Sequence, residues 1–238
     1  MNHQILFLFF IFSTPLFSQN LQLHYDFRHS LDPKYNKKNF TTLSVETFKA
    51  ADYGSFFMKM DADLIGENNN IGKLYTEISQ TLRIWKSKLY LHLQYCGGLG
   101  IVEDAAIGYY INNAWLLGVA HVFQWKNAWF STFLAYRYNV FDMPSHDLEY
   151  SLWWGKNFWK EKVSLTGHLV IWTENRDHGD DFTKNLSGKR FFFLSEPEVW
   201  INLNKRFSLG SEIKISYHVY NLFNHLQVYP TAAIKYNF

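Results

Sequence analysis

A single cysteine, Cys96, stands in 238 residues, which excludes an intramolecular disulfide and any cysteine-rich metal site. No apolar run reaches the ~20 residues that a helix needs to cross a bilayer. Mean hydropathy is negative, at -0.22, so a chain of this composition that spans a membrane must do so with strands closed into a barrel. Prolines are five, and no Pro-rich or Ser-rich stretch divides the chain, which reads as one large domain. The net charge of +2 is too small to imply nucleic acid, and no basic patch is interleaved with stacking aromatics.

Aromatic residues are abundant instead. Nine Trp, fifteen Tyr and twenty-two Phe make up 19% of the chain, more than a soluble core of this size needs. A membrane barrel uses such an excess as interfacial girdles and a lipid-facing band. At the amino terminus, Ile5 to Phe12 is apolar and Ser13 to Gln19 is polar and contains a breaker. The run is too short to span a bilayer, but its length and position suit the apolar core of a signal peptide. Residues 1–18 are therefore expected to be a signal peptide, cleaved near Ser18 or Gln19, and 19–238 a single barrel.

The last stretch, Val228 to Phe238, alternates strictly. Val228, Pro230, Ala232, Ile234, Tyr236 and Phe238 share one face, and Thr231, Ala233, Lys235 and Asn237 the other. Leu21 to Arg28 does the same, with Leu21, Leu23, Tyr25 and Phe27 opposed to Gln22, His24, Asp26 and Arg28. Repeating the test predicts further strands at 40–49, 55–64, 73–85, 88–96, 115–125, 128–138, 147–155, 162–172, 190–203, 207–219 and 226–238. That is about twelve, and an even number lets both termini lie on one side.

Connection lengths give an independent test. Those near 51–54, 86–87, 126–127, 156–161 and 204–206 are short, while 30–39, 65–72, 97–114, 139–146 and 174–189 are long. Short and long alternate, as periplasmic turns and extracellular loops do, with only Asn221 to His225 brief for an outer loop. Several short turns set Lys or Arg beside Trp or Phe, among them Trp85-Lys86, Trp125-Lys126 and Phe158-Trp159-Lys160. Such pairs mark a rim at headgroup level. A soluble β-sandwich would share the strand period but has no reason to alternate loop length. The expected fold class is all-β, a transmembrane antiparallel β-barrel of about twelve strands, and such a barrel is expected in the outer membrane of a Gram-negative bacterium.

Three places resemble the Tsx-type nucleoside-specific channel family: Phe56-Phe57-Met58-Lys59-Met60-Asp61-Ala62-Asp63, Lys73-Leu74-Tyr75-Thr76-Glu77-Ile78, and Trp115-Leu116-Leu117-Gly118-Val119 together with Tyr236-Asn237-Phe238. With Leu23-His24-Tyr25-Asp26-Phe27 added, the chain is also similar to an uncharacterised outer-membrane family allied to Tsx, known only as a domain of unknown function. One departure stands out: where the Tsx family has a Pro-Arg pair after the matching Glu, Gln80 and Thr81 follow here and Arg83 is displaced. The resemblance implies a twelve-stranded monomer with a narrow pore, no cofactor, and nucleosides as solute. The carboxy-terminal Tyr236 and Phe238 resemble the signal by which barrel-assembly machinery recognises and closes such proteins.

Strand parity alone selects lumen candidates. Asp26, Arg28, Lys59, Asp61, Asp63, Tyr75, Glu77, Arg83, His92, Gln94, Glu198, Asn202, Glu212 and Lys214 fall on polar faces. Lys or Arg facing lipid at mid-depth costs about 2 to 4 kcal/mol, so these side chains are expected to point inward. Opposed charges there either fill a closed barrel as a salt-bridged network or form a polar constriction that selects solutes. Tyr75, Tyr90 and Trp200 could stack on a base or sugar ring, or serve packing and girdle roles. The acidic run Asp177-His178-Gly179-Asp180-Asp181 lacks EF-hand spacing and reads as a solvated loop. Serines and histidines are plentiful, but none stand at the spacing of a catalytic set, so no enzyme is expected. The sequence reads as a passive channel or binding pore for small polar solutes, with Lys59, Asp61, Glu77 and Arg83 foremost. The alternative is a structural or surface-interaction barrel plugged by its own side chains, with an outer-membrane lipid-active enzyme ranked behind both.

Overall fold

The structure, a computed structural model, describes residues 18–84, 88–102 and 107–238. The expected signal peptide, except Ser18, and the Trp85-Lys86-Ser87 turn lie outside the described residues.

Thirteen strand segments follow one another: β1 (Ser18–Asp26), β2 (Phe40–Ala51), β3 (Gly54–Asp63), β4 (Lys73–Leu82), β5 (Leu89–Val102), β6 (Ile107–Trp125), β7 (Ala128–Asn139), β8 (Ser145–Phe158), β9 (Val163–Asn175), β10 (Lys189–Ser195), β11 (Glu198–Asn202), β12 (Phe207–Tyr217) and β13 (Gln227–Asn237). Every pairing among them is antiparallel, and β1 pairs with β13, so the sheet closes on itself and leaves no edge. Segments β10 and β11 are halves of one stave, since each pairs with β9 on one side and β12 on the other. The barrel therefore has twelve staves.

Its polarity is inverted relative to a soluble protein. Leu21, Leu23 and Tyr25 of β1, Leu43 and Val45 of β2, Leu117 and Val119 of β6, and Val228 and Ile234 of β13 are exposed on the outside. The alternate residues, such as Gln22, His24, Asp26, Thr42 and Ser44, are buried inside. An apolar exterior around a polar interior is the signature of a barrel that crosses lipid. Leu43 sits in the middle of this band, paired with Leu23 and Ala62. Leu43→Arg is expected to destabilise the barrel by about 2 to 4 kcal/mol, whereas Leu222→Arg in an exposed outer loop should change little. Urea titrations in lipid vesicles would measure both.

The short-turn rim is built as expected. Lys126 and Asn127 both have positive φ, 47° and 62°, the geometry of a type I′ hairpin turn. Beside them Trp125 is exposed, with the Lys126 ammonium 5.0 Å from its ring. Phe158 and Lys156 repeat that pair at 5.0 Å.

Boundaries differ from the sequence expectation, most clearly at three places. The 97–114 stretch is not a loop: β5 runs to Val102 and β6 starts at Ile107, with a register shift at Cys96/Gly97. Its glycines stay in strand because rings occupy the side-chain space; a Cβ on Gly97 would meet the Tyr95 hydroxyl at 2.4 Å, and one on Gly100 the Tyr109 ring at 2.3 Å. The first strand stops at Asp26, whose carboxylate accepts the Arg28 backbone N–H at 2.9 Å and turns the chain into α1 (Arg28–Leu31). The 190–203 strand is interrupted at Glu196 and Pro197, because Pro197 has no N–H to give the ladder.

Candidate functional site in the barrel lumen

Twelve staves enclose more space than side chains of one size can fill, and the lumen is divided into layers. At mid-depth, the Lys59 ammonium reaches from β3 across to the β10–β11 junction. There it lies 3.5 Å from Glu196, with Asp61 at 3.4 Å and Glu212 at 4.0 Å. Lys214 adds an ion pair to Glu212 at 3.3 Å, and the Tyr220 hydroxyl donates to Glu196 at 3.1 Å. His168 approaches Glu196 at 3.6 Å. Close approach of the walls helps to set this layer: a Cβ on Gly167 of β9 would meet the Pro197 Cα at 2.8 Å and the Glu196 carbonyl oxygen at 2.9 Å. Side chains from β3, β9 and β12 and from the β10–β11 junction thus meet in one network across the barrel axis.

Between this layer and the short-turn rim lies a cavity of about 630 Å³. Its lining reaches Ala51 and Gly54 at the β2–β3 turn, so the cavity opens toward that rim. Phe57, Tyr90, Trp129, Phe133 and Trp153 supply aromatic walls, and Glu46, Glu77 and Glu198 supply carboxylates. Rings touch across it: Phe57 of β3 meets Trp153 of β8 edge-on at 5.3 Å, and Trp153 stacks on His168 at 4.5 Å. His92 stacks on Phe133 at 3.9 Å and bonds Gln94 through Nε2 at 2.9 Å. Its Nδ1 is the buried side-chain atom without a hydrogen-bond partner among the described residues.

The outer half is filled. On one wall the Asp26 carboxylate takes a bidentate pair from Arg28, at 3.0 and 2.7 Å, and the guanidinium lies over Phe40, Tyr220 and Tyr229. On the other, Arg137 of β7 hydrogen-bonds Glu149 and Asn139 and stands 3.6 Å from Glu174. Long loops cover the mouth: Phe141 stacks on His178 at 3.9 Å, and Tyr35 packs on Phe223 at 4.8 Å.

The residues singled out by parity are spread over these layers. Lys59, Asp61, Glu212 and Lys214 belong to the central network. Asp61 also accepts the Ser44 hydroxyl at 2.6 Å, and Asp63 accepts that of Thr42 at 2.6 Å. Glu77 faces the cavity, where among the described residues it has no ion pair or hydrogen bond. Tyr75 packs against the buried Cys96 and Ala114 cluster. Trp200 is buried, its N–H on Glu198 at 2.6 Å and the Lys235 ammonium 3.7 Å from its ring. Asn202 bonds the Ser164 and Ser208 hydroxyls nearer the rim. Arg83 is a correction. It has inward parity but lies beyond the end of β4 at Leu82, exposed at the turn, where its N–H bonds the Tyr53 carbonyl at 2.7 Å. Arg28 lies in the lumen mouth, on a helical turn rather than on the first strand. Tyr236 and Phe238 pack edge-to-face at 5.1 Å, and the Phe238 N–H closes on Gln19.

Glu196, Glu149, Glu174, Arg137, His168 and Lys235 complete the lumen chemistry without having been singled out. Glu196 shares parity with Glu198 and Asn202, and the adjacent proline was the available signal. In the loop, Asp180 accepts the Phe182 and Thr183 backbone N–H groups, and Asp181 pairs with Lys184 at 2.7 Å. Among the described residues no group of three His, Cys, Asp or Glu is placed to hold a metal.

An apolar outer band, a polar lumen and alternating turns and loops define a transmembrane β-barrel of the outer-membrane type. Within that class, the chain belongs to the family described as a domain of unknown function, DUF5020, whose model matches residues 18–238. No curated protein matches the sequence. Among solved structures it is similar to LpxR from Salmonella typhimurium, with 8% identity, 93% of this chain and 100% of that one covered, and a TM-score of 0.49. It is similar to the beta domain of the Bordetella autotransporter BrkA, at 11% identity, 94% and 100% coverage and a TM-score of 0.44. A loop-deleted OmpT, an outer membrane protein of Vibrio cholerae, gives 6% identity, 93% and 98% coverage and a TM-score of 0.43.

Proposed function

We propose that this protein is an outer-membrane barrel of a Gram-negative bacterium, its short turns in the periplasm, that binds small ring-bearing polar solutes and passes them passively. The observation that carries the reading is the 630 Å³ aromatic cavity set directly against the Lys59 network. Its size falls within the range of small-molecule sites, about 300 to 1,000 Å³. Solutes would stack on the rings of the cavity, and passage would require the charged layer to part. Nucleosides, implied by the Tsx-type resemblance, meet the requirement for a ring and a polar rim. The protein would work without a cofactor, as a monomer in outer-membrane lipid, delivered by barrel-assembly machinery that reads Tyr236 and Phe238.

A second reading rests on the same layers. The Lys59–Glu196 pair and the Phe57–Trp153 contact both cross the lumen, and such bridges suit a non-conducting barrel that acts through its outer loops. Single-channel recording of refolded protein in a planar bilayer separates the two. Small discrete steps that diminish on adding nucleoside are expected. A silent bilayer, with folding confirmed by heat-modifiable gel mobility, would overturn conduction.

A further inference from the structure

The cavity and the layer above it hold more acidic than basic side chains. Together they gather six carboxylates (Glu46, Asp61, Glu77, Glu196, Glu198 and Glu212) against three lysines, Lys59, Lys214 and Lys235. The lysines are engaged. Lys59 is shared among three acids, Lys214 is on Glu212, and Lys235 lies over Trp200 and 3.9 Å from Glu198. Glu46 accepts the Gln22 amide at 2.9 Å. Glu77 has no such partner among the described residues, although it lines the cavity between the rings.

A second, independent feature has the same polarity. His92, 2% exposed, lines the same cavity. Its Nε2 faces the Gln94 carbonyl oxygen, an acceptor, so Nε2 carries the proton and the unpartnered Nδ1 is a lone pair. Glu77 and His92 therefore both lack a donor. The ring faces of Phe57, Tyr90, Phe133 and Trp153 around them favour cations by their quadrupoles. An unpartnered carboxylate, more acids than bases and aromatic faces call for one chemistry, a positive charge that carries N–H groups on an apolar body.

We propose that the lumen cavity of this barrel is a binding site for an organic cation, an ammonium or amidinium on a ring-bearing body, with Glu77 as its counter-ion and the rings of Phe57, Tyr90 and Trp153 as its aromatic lining. This rests on the reading of the cavity as a solute site, and it names the solute's charge. Charge-assisted hydrogen bonding at Glu77 would fix the head group, and the rings would hold the body.

The test compares three probes that share a phenyl ring and a two-carbon chain: 2-phenylethylammonium, 2-phenylethanol and 3-phenylpropionate. Binding to the full mature barrel in detergent is followed by tryptophan quenching and by calorimetry. The ammonium is expected to bind at least about ten-fold more tightly than the alcohol, with the carboxylate weaker still. Glu77→Gln should cost the ammonium about ten-fold and leave the alcohol unchanged. Ser79→Lys, which tethers an ammonium at a cavity-lining position on β4, should compete with the probe to a similar extent and serves if the first variant fails to fold. Equal affinity for the three probes, binding of none, or ammonium binding untouched by the substitutions would overturn the proposal. Binding is read apart from conductance: a silent bilayer with ammonium binding intact removes only the channel, and conduction without charge preference removes only the cation.

Discussion

Arg137→Met is expected to lower the unfolding free energy of the barrel by about 3 to 5 kcal/mol, the cost of stranding buried charges. Arg137 is 2% exposed and hydrogen-bonds Glu149, itself 1% exposed, with Glu174 as a second carboxylate at 3.6 Å. It also donates to Asn139 at 2.9 Å and packs over the Trp172 ring at 5.1 Å. Methionine keeps much of the volume and removes the charge, leaving two acids facing each other inside the wall. Combining Arg137→Met with Glu149→Gln and Glu174→Gln should recover most of the loss, since the penalty lies in the uncompensated carboxylates rather than in the missing contact. Urea unfolding in vesicles, read by tryptophan fluorescence, measures both. A single variant with wild-type stability would show that water already solvates this cluster.

Lys59→Ala is expected to raise single-channel conductance several-fold and to make the current cation-selective. The substitution removes the side chain that crosses the lumen and leaves Asp61, Glu196 and Glu212 lining the gap. A ring of carboxylates attracts cations and repels anions, so the reversal potential in a salt gradient should move toward the cation value. Glu196→Gln removes one acid and keeps the cross-lumen reach of Lys59, and should raise conductance much less. If Lys59→Ala passes no more current than the wild type, the barrier lies lower, at the Phe57–Trp153 contact.

Much of this architecture is legible in the sequence, because a barrel wall has only one degree of patterning. Each residue faces lipid or lumen, and the price of a misplaced charge enforces the alternation. Leu21 to Asp26 and Val228 to Asn237 show it without interruption, and the two stretches pair with each other to close the barrel. Boundaries were harder wherever packing overrode composition. Gly97, Gly98 and Gly100 look like loop residues until Tyr95 and Tyr109 are seen to cover Gly97 and Gly100. Arg83 obeys the parity rule, yet β4 ends one residue earlier, and periodicity alone does not say where a ladder stops. The candidate site was legible as a set of inward residues but not as layers. Parity places Lys59, Glu77 and Glu212 in the lumen, but which of them meet depends on stave tilt and on reach across the barrel, and neither leaves a period in the sequence.

Phe57 and Lys59 occupy successive inward positions on β3. One ends against Trp153 of β8 and the other against Glu196 at the β10–β11 junction. A single strand thus acts as a spar from which two struts leave toward the far side, one greasy and one ionic. Because the struts share a root, a twist or shift of β3 moves both together. A guest wedged between Phe57 and Trp153 would therefore strain the ionic strut one step above it, and events in the outer layer would be felt below by the same linkage. Opposite walls joined in this way also resist flattening of the barrel, and both joints leave from β3.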